Sequence, residues 1–99
     1  MADFVVLTLT VELYLPQSGS LKAKRSAVKR VLEGAKRRWS VSAAEVGGLR
    51  SWQRTVLAFA TVSNSTSRAQ DLMDDLERWV WTTPDAEVLQ TERYWLDTA

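Results

Sequence analysis

Cysteine and histidine are both absent from this chain of 99 residues. Their absence excludes disulfide bonds, thiolate nucleophiles, zinc sites of the usual Cys/His type and acid–base catalysis by an imidazole. The phosphate-binding motifs G-x-x-x-x-G-K-[S/T] and G-x-G-x-x-G are also missing, and no nucleophile has a plausible base beside it. We therefore expect a protein that is not an enzyme and that binds no metal or cofactor.

Long hydrophobic runs are missing as well. Residues 4–15 are mostly apolar, but Thr8, Thr10 and Glu12 interrupt them, and no stretch reaches the roughly 18 apolar residues that a membrane-spanning helix needs. The N-terminus has neither the basic segment nor the small-residue cleavage site of a signal peptide. Hydrophobic residues make up 45% of the chain and charged residues 25%, as in ordinary globular domains. We expect a single cytoplasmic domain over residues 1–99 that does not associate with membranes.

Positive charge is concentrated in one segment. The whole chain has a formal net charge of +1, whereas residues 21–39 contain eight Lys and Arg residues and a single acid, Glu33. Ser20, just before this segment, is a suitable N-cap. The apolar residues of the segment recur at spacings of three, four and seven: Leu21, Val28, Val31, Leu32 and Ala35. Four basic residues fall on the opposite side: Lys22, Arg25, Lys29 and Lys36. This pattern predicts an amphipathic helix with a basic outer surface.

The remaining periodicities predict four strands and a second helix. Residues 5–15 alternate between apolar and polar, as a strand with one buried face does. Short apolar runs at 41–46, 54–62 and 88–96 predict three more strands. Ser67 and Gln70 have the spacing of a capping box, which predicts a second amphipathic helix ending before Thr83-Pro84-Asp85.

The predicted element order is βαββαβ, which is typical of a ferredoxin-like α+β fold. Right-handed crossovers place both helices on one face of a four-stranded antiparallel sheet. Strands 1 and 3 are then central, and the other face of the sheet is left open for a partner.

Four short motifs resemble a known family. They are Ser-Leu-Lys-Ala-Lys-Arg-Ser at 20–26, Val-Ser-Ala-Ala-Glu-Val at 41–46, Trp-Gln-Arg at 52–54 and Val-Ser-Asn at 62–64. In this order and spacing they resemble the YlxP-like proteins, small bacterial proteins of unknown function, and the resemblance extends over residues 4–96. It implies a ferredoxin-like fold in a bacterial, cytoplasmic protein. Family genes often lie beside genes for translation and ribosome-maturation factors, which implies work on RNA or the ribosome. The resemblance supplies no catalytic residues, and Ala23 stands where an acid is common.

The basic helix allows two interpretations. It is either a solvated surface neutralised by the acidic second helix, or a surface that binds the phosphates of RNA. Residues 65–82 sum to a charge of only about −2, which is too little for neutralisation and favours RNA. Trp52 is a candidate for stacking on bases, because Arg50 and Arg54 flank it. The predicted nucleic-acid-binding residues are Lys22, Arg25, Lys29, Lys36, Arg37, Trp52 and Arg54.

Lys24 differs from the other basic residues, because its helical angle places it at the edge of the apolar stripe. A buried amine there needs a carboxylate partner, and Glu12 and Glu45 are the candidates. We expect an ion pair that fixes the helix to the sheet, with contact to a ligand as the alternative.

Either of two alternating sets of side chains in the third strand could be the buried one. One alternating set is wholly apolar: Val56, Ala58, Ala60 and Val62. The other is mixed and resembles the polar side of strand 1: Thr55, Leu57, Phe59 and Thr61. We predict that the mixed set lies on the open face, where Phe59 stacks on RNA bases or where Val6, Leu57 and Phe59 form a homodimer interface. With the opposite choice, Phe59 belongs to the core. A self-associating module with no nucleic-acid role is thus the alternative to an RNA-binding accessory factor.

Overall fold

The computed structural model describes residues 3–97, which form a βαββαβ unit. Its elements are β1 (Val5–Tyr14), α1 (Leu21–Trp39), β2 (Ser42–Gly47), β3 (Arg54–Ser63), α2 (Thr66–Trp81) and β4 (Glu87–Asp97). The sheet is antiparallel with strand order β2-β3-β1-β4. The predicted ferredoxin-like fold is therefore confirmed, with β1 and β3 in the centre. The second strand begins at Ser42 rather than at the predicted Val41.

The core forms between one face of the sheet and the two helices. Alternate residues of β1, from Val5 to Leu13, are buried, and the residues between them face the other way. Val28, Val31 and Ala35 of α1 and Met73, Leu76 and Val80 of α2 close the core from above. The period of two in β1 and the helical spacing in α1 are the patterns that predict these two elements, because each exposes one apolar side to the core.

The predicted face of β3 is wrong. Leu57 and Phe59 are 0% and 1% exposed and belong to the core, as does the buried Thr55, whereas Val62 is 69% exposed. The pairing of β3 with β1 determines which face of β3 is buried, because Phe59 lies opposite the buried Leu9 and therefore on the same face of the sheet. Leu57 and Phe59 have the volume to fill the space beneath the helices, which alanines cannot fill. Leu57 and Phe59 are thus not interface residues.

The start of α2 also differs from the prediction. The N-cap is Ser65, whose Oγ accepts a hydrogen bond from the backbone N–H of Arg68 at 3.3 Å. Ser67 lies in the first turn rather than at the cap, so the predicted capping box is wrong. Ser63 Oγ accepts from the Ser65 N–H at 3.0 Å, which fixes the extended backbone that precedes the helix. By contrast, Ser20 caps α1 as predicted, with its Oγ 3.0 Å from the Ala23 nitrogen.

The two helices meet at a tryptophan. A Cβ at Gly34 would lie 2.8 Å from the ring of Trp79, so only glycine allows this approach without a shift of the ring. Trp39 packs edge-on against Trp79 with 5.5 Å between ring centroids, and the guanidinium of Arg38 lies 5.1 Å above the same ring. These aromatic and cation–π contacts join the C-terminal parts of α1 and α2. Within residues 3–97, no helix is both long and apolar enough to cross a membrane.

Candidate nucleic-acid interface

The outer surface of α1 carries a row of basic side chains. We call Lys22, Arg25, Lys29, Lys36 and Arg37 the basic stripe; all five are exposed. The stripe extends over most of α1, because 14 residues of helix at 1.5 Å each span about 21 Å. The predicted basic residues of the helix are therefore together on one solvent-facing surface.

Little negative charge opposes these cations. The exposed cations of α1 are Lys22, Arg25, Lys29, Arg30, Lys36, Arg37 and Arg38. Across the described part of the chain, one ion pair involves any of them, between Lys36 and Glu33 at 3.8 Å. Both of its side chains are largely exposed, so it contributes little. The surface therefore keeps a positive charge that the protein itself does not neutralise.

Three of the four acids of α2 have partners outside α1. Asp74 and Glu77 bind Arg93 of β4 at 2.8 and 3.1 Å, and Asp75 accepts a hydrogen bond from Arg78 in the same helix. Partial burial lowers the pKa of Arg93, but the hydrogen bonds and the charges of its two partners outweigh that effect and raise it overall. No ion pair in residues 3–97 joins α1 to α2. The interpretation in which α2 neutralises α1 is thus not supported by the contacts.

Lys24 is the exception among the cations of α1, because it is 0% exposed. Its Nζ lies 2.6 Å from Glu45 Oε2 and donates to the carbonyl of Gly48 at 2.6 Å. Thr55 Oγ1 donates to the same carboxylate oxygen, also at 2.6 Å. The predicted ion pair between Lys24 and the sheet is confirmed, and its partner is Glu45. The other candidate, Glu12, lies near Arg54 instead, with 4.0 Å between Glu12 Oε2 and Arg54 Nη1. The contacts of the fully buried amine therefore join α1 to the sheet and to Gly48, as the structural interpretation predicts.

The connection between β2 and β3 is held close to the start of α1. We call residues 48–53 the hairpin loop. Gly48 has a φ of +67°, and a Cβ there would lie 2.6 Å from the carbonyl oxygen of Arg54, so this turn requires glycine. At the other end of the loop, the Gln53 carbonyl accepts from the Leu15 N–H at 2.7 Å, and Gln53 Nε2 donates to the Pro16 carbonyl at 3.2 Å. The loop is thereby joined to the segment that leads into α1.

The structure brings some of the predicted binding residues together and separates others. Trp52 is 55% exposed and lies at the same end of the molecule as Lys22 and Arg25, because the hairpin loop adjoins the start of α1. Arg54 is different: its neighbour in β3, Thr55, is buried, so Arg54 extends from the open face of the sheet, near Glu12. Arg54 is therefore not part of the helix surface.

The predicted list of nucleic-acid-binding residues leaves out three exposed cations of α1 and the hairpin loop. Arg30 and Arg38 are exposed on α1, and Arg50 is exposed beside Trp52 in the hairpin loop. The signal for Arg30 was its charge on the helix, and for Arg50 its position next to an exposed aromatic residue. Arg38 contacts Trp79, a contact between helices that spacing along the chain does not reveal.

The open face of the sheet carries an aliphatic row across three strands. Val6 of β1 lies between Val62 of β3 and Leu96 of β4 in the pairing register, and Val62 and Leu96 are exposed. Of the three predicted interface residues, only Val6 lies on this face. Beside the row, the hydroxyl of Tyr94 donates to Glu92, and this hydrogen bond with the carboxylate raises the pKa of Tyr94.

Comparison with known proteins identifies the relatives of this chain. The family described as "Protein of unknown function (DUF503)" matches residues 6–93. The "Uncharacterized protein YlxP" of Bacillus subtilis (strain 168) is 31% identical over 84 residues, which are 85% of this chain and 91% of that protein.

Solved structures resemble this one in fold. The de novo designed protein Foldit4 has a TM-score of 0.52 and 18% identity, with 97% of both chains covered. The intact alpha subunit of aIF2 from Pyrococcus abyssi has a TM-score of 0.49 and 13% identity over 91% of this chain and 35% of that one. At these identities a structural likeness concerns the fold alone. The family match and the Bacillus relative show that this chain belongs to the YlxP family of proteins of unknown function.

Proposed function

We propose that this protein is a non-catalytic RNA-binding accessory factor of translation or ribosome maturation, and that the basic stripe contacts the RNA backbone. One observation carries the proposal: the surface of α1 exposes seven cations and a single acid, and none of the ion pairs in residues 3–97 joins these cations to the acids of α2. The link to translation follows from the gene neighbourhood of the family that the chain resembles.

The chemistry of the stripe suits phosphate rather than base recognition. Lys and Arg side chains on an exposed helix neutralise backbone phosphates and release their counterions, whatever the base sequence. A row of about 21 Å contacts several successive phosphates. We therefore expect binding that depends steeply on salt and little on RNA sequence.

The test is the double substitution Lys29→Gln and Lys36→Gln. Fluorescence anisotropy with a labelled RNA, measured over a range of salt concentrations, gives the affinity and its salt dependence. Loss of two phosphate contacts lowers the log–log slope by about 1.4 to 1.8. The melting temperature is expected to change little, because both side chains are exposed and the Lys36–Glu33 pair is weak.

The matched control removes two cations from the other helix. Arg68→Gln and Arg78→Gln change the net charge equally, and both side chains are exposed on α2. This control is expected to keep the wild-type slope. If both double variants change the slope equally, the effect is one of net charge and the basic stripe is not the binding surface. If the wild-type protein binds no RNA at low salt, the proposed function is wrong.

Self-association is a second candidate function, favoured by the aliphatic row Val6, Val62 and Leu96 on the open face. We propose a second copy of the chain as the partner, in a two-fold arrangement that places this face against itself. Four strands about 4.8 Å apart, with about 3.3 Å per residue, give a face of roughly 600 Å² in projection. That is of the same order as the roughly 800 Å² per partner of a stable interface. Sedimentation velocity of nuclease-treated protein tests the idea, since a monomer at every concentration contradicts it.

A further inference from the structure

We infer that the RNA is single-stranded, with one unpaired base stacked on Trp52 while neighbouring phosphates contact the first residues of the basic stripe. The inference rests on the proposed function and names the kind of RNA that the same surface takes. It follows from three features: the exposed indole in the hairpin loop, the backbone fixed around it, and the basic residues in the loop and at the start of the adjoining helix.

The indole of Trp52 is not used in the core. Its residue is 55% exposed and forms no part of the buried cluster or of the residues packed against it. Arg50, two residues before it, is exposed as well, and Lys22 and Arg25 belong to the helix that starts beside the loop. An aromatic ring among cations is the combination by which proteins hold single strands, with bases on the ring and phosphates on the cations.

The backbone around Trp52 is held on both sides. Ser51 Oγ accepts from the N–H groups of Gln53 at 3.3 Å and Arg54 at 3.0 Å, and the Ser51 N–H donates to the Gly48 carbonyl at 3.0 Å. The same Gly48 carbonyl accepts from the buried Lys24 amine at 2.6 Å. The loop is therefore organised before RNA arrives, which lowers the entropy lost on binding.

Stacking on Trp52 requires an unpaired base. In an RNA duplex both faces of an internal base are covered by its neighbours, and proteins bind such duplexes by shape and backbone contacts. Bases in single strands and loops are free to stack on aromatic side chains. A surface of basic side chains alone binds both single-stranded RNA and an RNA duplex. An exposed indole at the same end of the molecule favours the single strand.

The experiment compares Trp52→Ala with the wild type on two labelled probes, an oligouridylate of about 12 nucleotides and a blunt RNA duplex of the same length. The wild type is expected to bind the single strand more tightly. Trp52→Ala is expected to weaken single-strand binding roughly 5- to 150-fold and to leave duplex binding unchanged. Trp52→Phe, which keeps an aromatic face, is expected to retain most of the affinity.

Trp81→Ala is the matched control, because Trp81 is equally exposed, at 58%, but lies at the end of α2. It is expected to bind both probes as the wild type does. Melting temperatures of all variants confirm that each is folded. If Trp52→Ala binds the single strand as well as the wild type, or weakens both probes equally, the inference is overturned. Such a result leaves the proposed function standing if RNA binding by the double variant Lys29→Gln and Lys36→Gln still shows the lower salt slope, because that slope tests the basic stripe without Trp52. Failure of the wild type to bind either probe overturns both.

Discussion

Lys24 joins the three parts of the molecule that meet at the candidate interface. Its amine, fully enclosed, contacts Glu45 of β2 and the first residue of the hairpin loop, Gly48, while its backbone belongs to α1. A buried ammonium group is stable here only because Glu45 and Gly48 each supply an oxygen that accepts a hydrogen bond from it. One of the contacts that join the hairpin loop to α1 is thus made by a side chain that never reaches the surface.

We expect Lys24→Met to lower the free energy of unfolding by about 3 to 5 kcal/mol, because it leaves the mostly buried Glu45 carboxylate without its counter-charge. Urea denaturation followed by tryptophan fluorescence measures the change. The neighbouring exposed residue provides the control, since Lys22→Met is expected to change stability by less than about 0.5 kcal/mol. Equal effects of the two substitutions would show that the ion pair contributes nothing. The double variant Lys24→Met and Glu45→Met is expected to recover part of the loss, because it removes both charges.

At the scale of the element, the two helices have different surfaces. α1 exposes cations of which, among the described residues, Lys36 alone has an acidic partner, whereas α2 uses Asp74 and Glu77 to hold β4 through Arg93. α2 is thus a structural helix, and α1 is the one with charge available for a partner. The start of α2 is determined by the short stretch of Ser, Asn and Thr that follows β3, where several residues are able to cap a helix.

The cap assignment leads to a stability prediction. Ser65→Ala is expected to lower the free energy of unfolding by about 1 kcal/mol, because it removes the acceptor for the Arg68 N–H. Ser67→Ala removes a hydroxyl that lies within the first turn and is expected to have a smaller effect. Chemical denaturation of the two variants side by side measures the free energy of unfolding of each. A larger decrease for Ser67→Ala than for Ser65→Ala would show that Ser67 is the N-cap.

The elements differ in how far the sequence predicts them. β1 and α1 are predictable because each has one apolar side and one polar side. In β3 both alternating sets contain apolar residues, so periodicity predicts the strand but not its buried face; the deciding factor is the volume of Leu57 and Phe59 against Leu9 across the strand pair. For the candidate interface, composition indicates the basic stripe. Contacts between distant residues, such as Lys24 with Gly48, bring the hairpin loop that carries Trp52 to the same end of the molecule as the first residues of the stripe.

At the scale of the whole molecule, the two broad surfaces have different characters. The helical side is charged, and the open side of the sheet is aliphatic at the end where Val6, Val62 and Leu96 meet and polar at the end of Glu12 and Arg54. The molecule is elongated, with principal extents of 50 × 22 × 21 Å. RNA on the helices and a second copy on the sheet would therefore occupy opposite sides and would not exclude each other.

Val62→Glu tests association through the open face. If two copies pack this face together, the substitution places like charges in a dry interface, and we expect it to shift dimers to monomers in sedimentation velocity. Folding is expected to persist, because Val62 is 69% exposed. Leu49→Glu introduces the same charge at a similarly exposed site in the hairpin loop and is expected to leave the oligomeric state unchanged. A Val62→Glu variant that still forms dimers would place the interface elsewhere.

The central position of β1 has a consequence for how the chain folds. β1 is synthesised before the other five elements, yet one of its edges pairs with β3 and the other with β4, so that Val5 is opposite Asp97 in the last element. Contacts between such distant residues make folding slow compared with that of helical domains of the same size. On the ribosome, the β1 edge that receives β4 has no partner until β4, the last of the six elements, has emerged. During that interval the nascent protein exposes an apolar strand edge, the kind of edge on which chains aggregate.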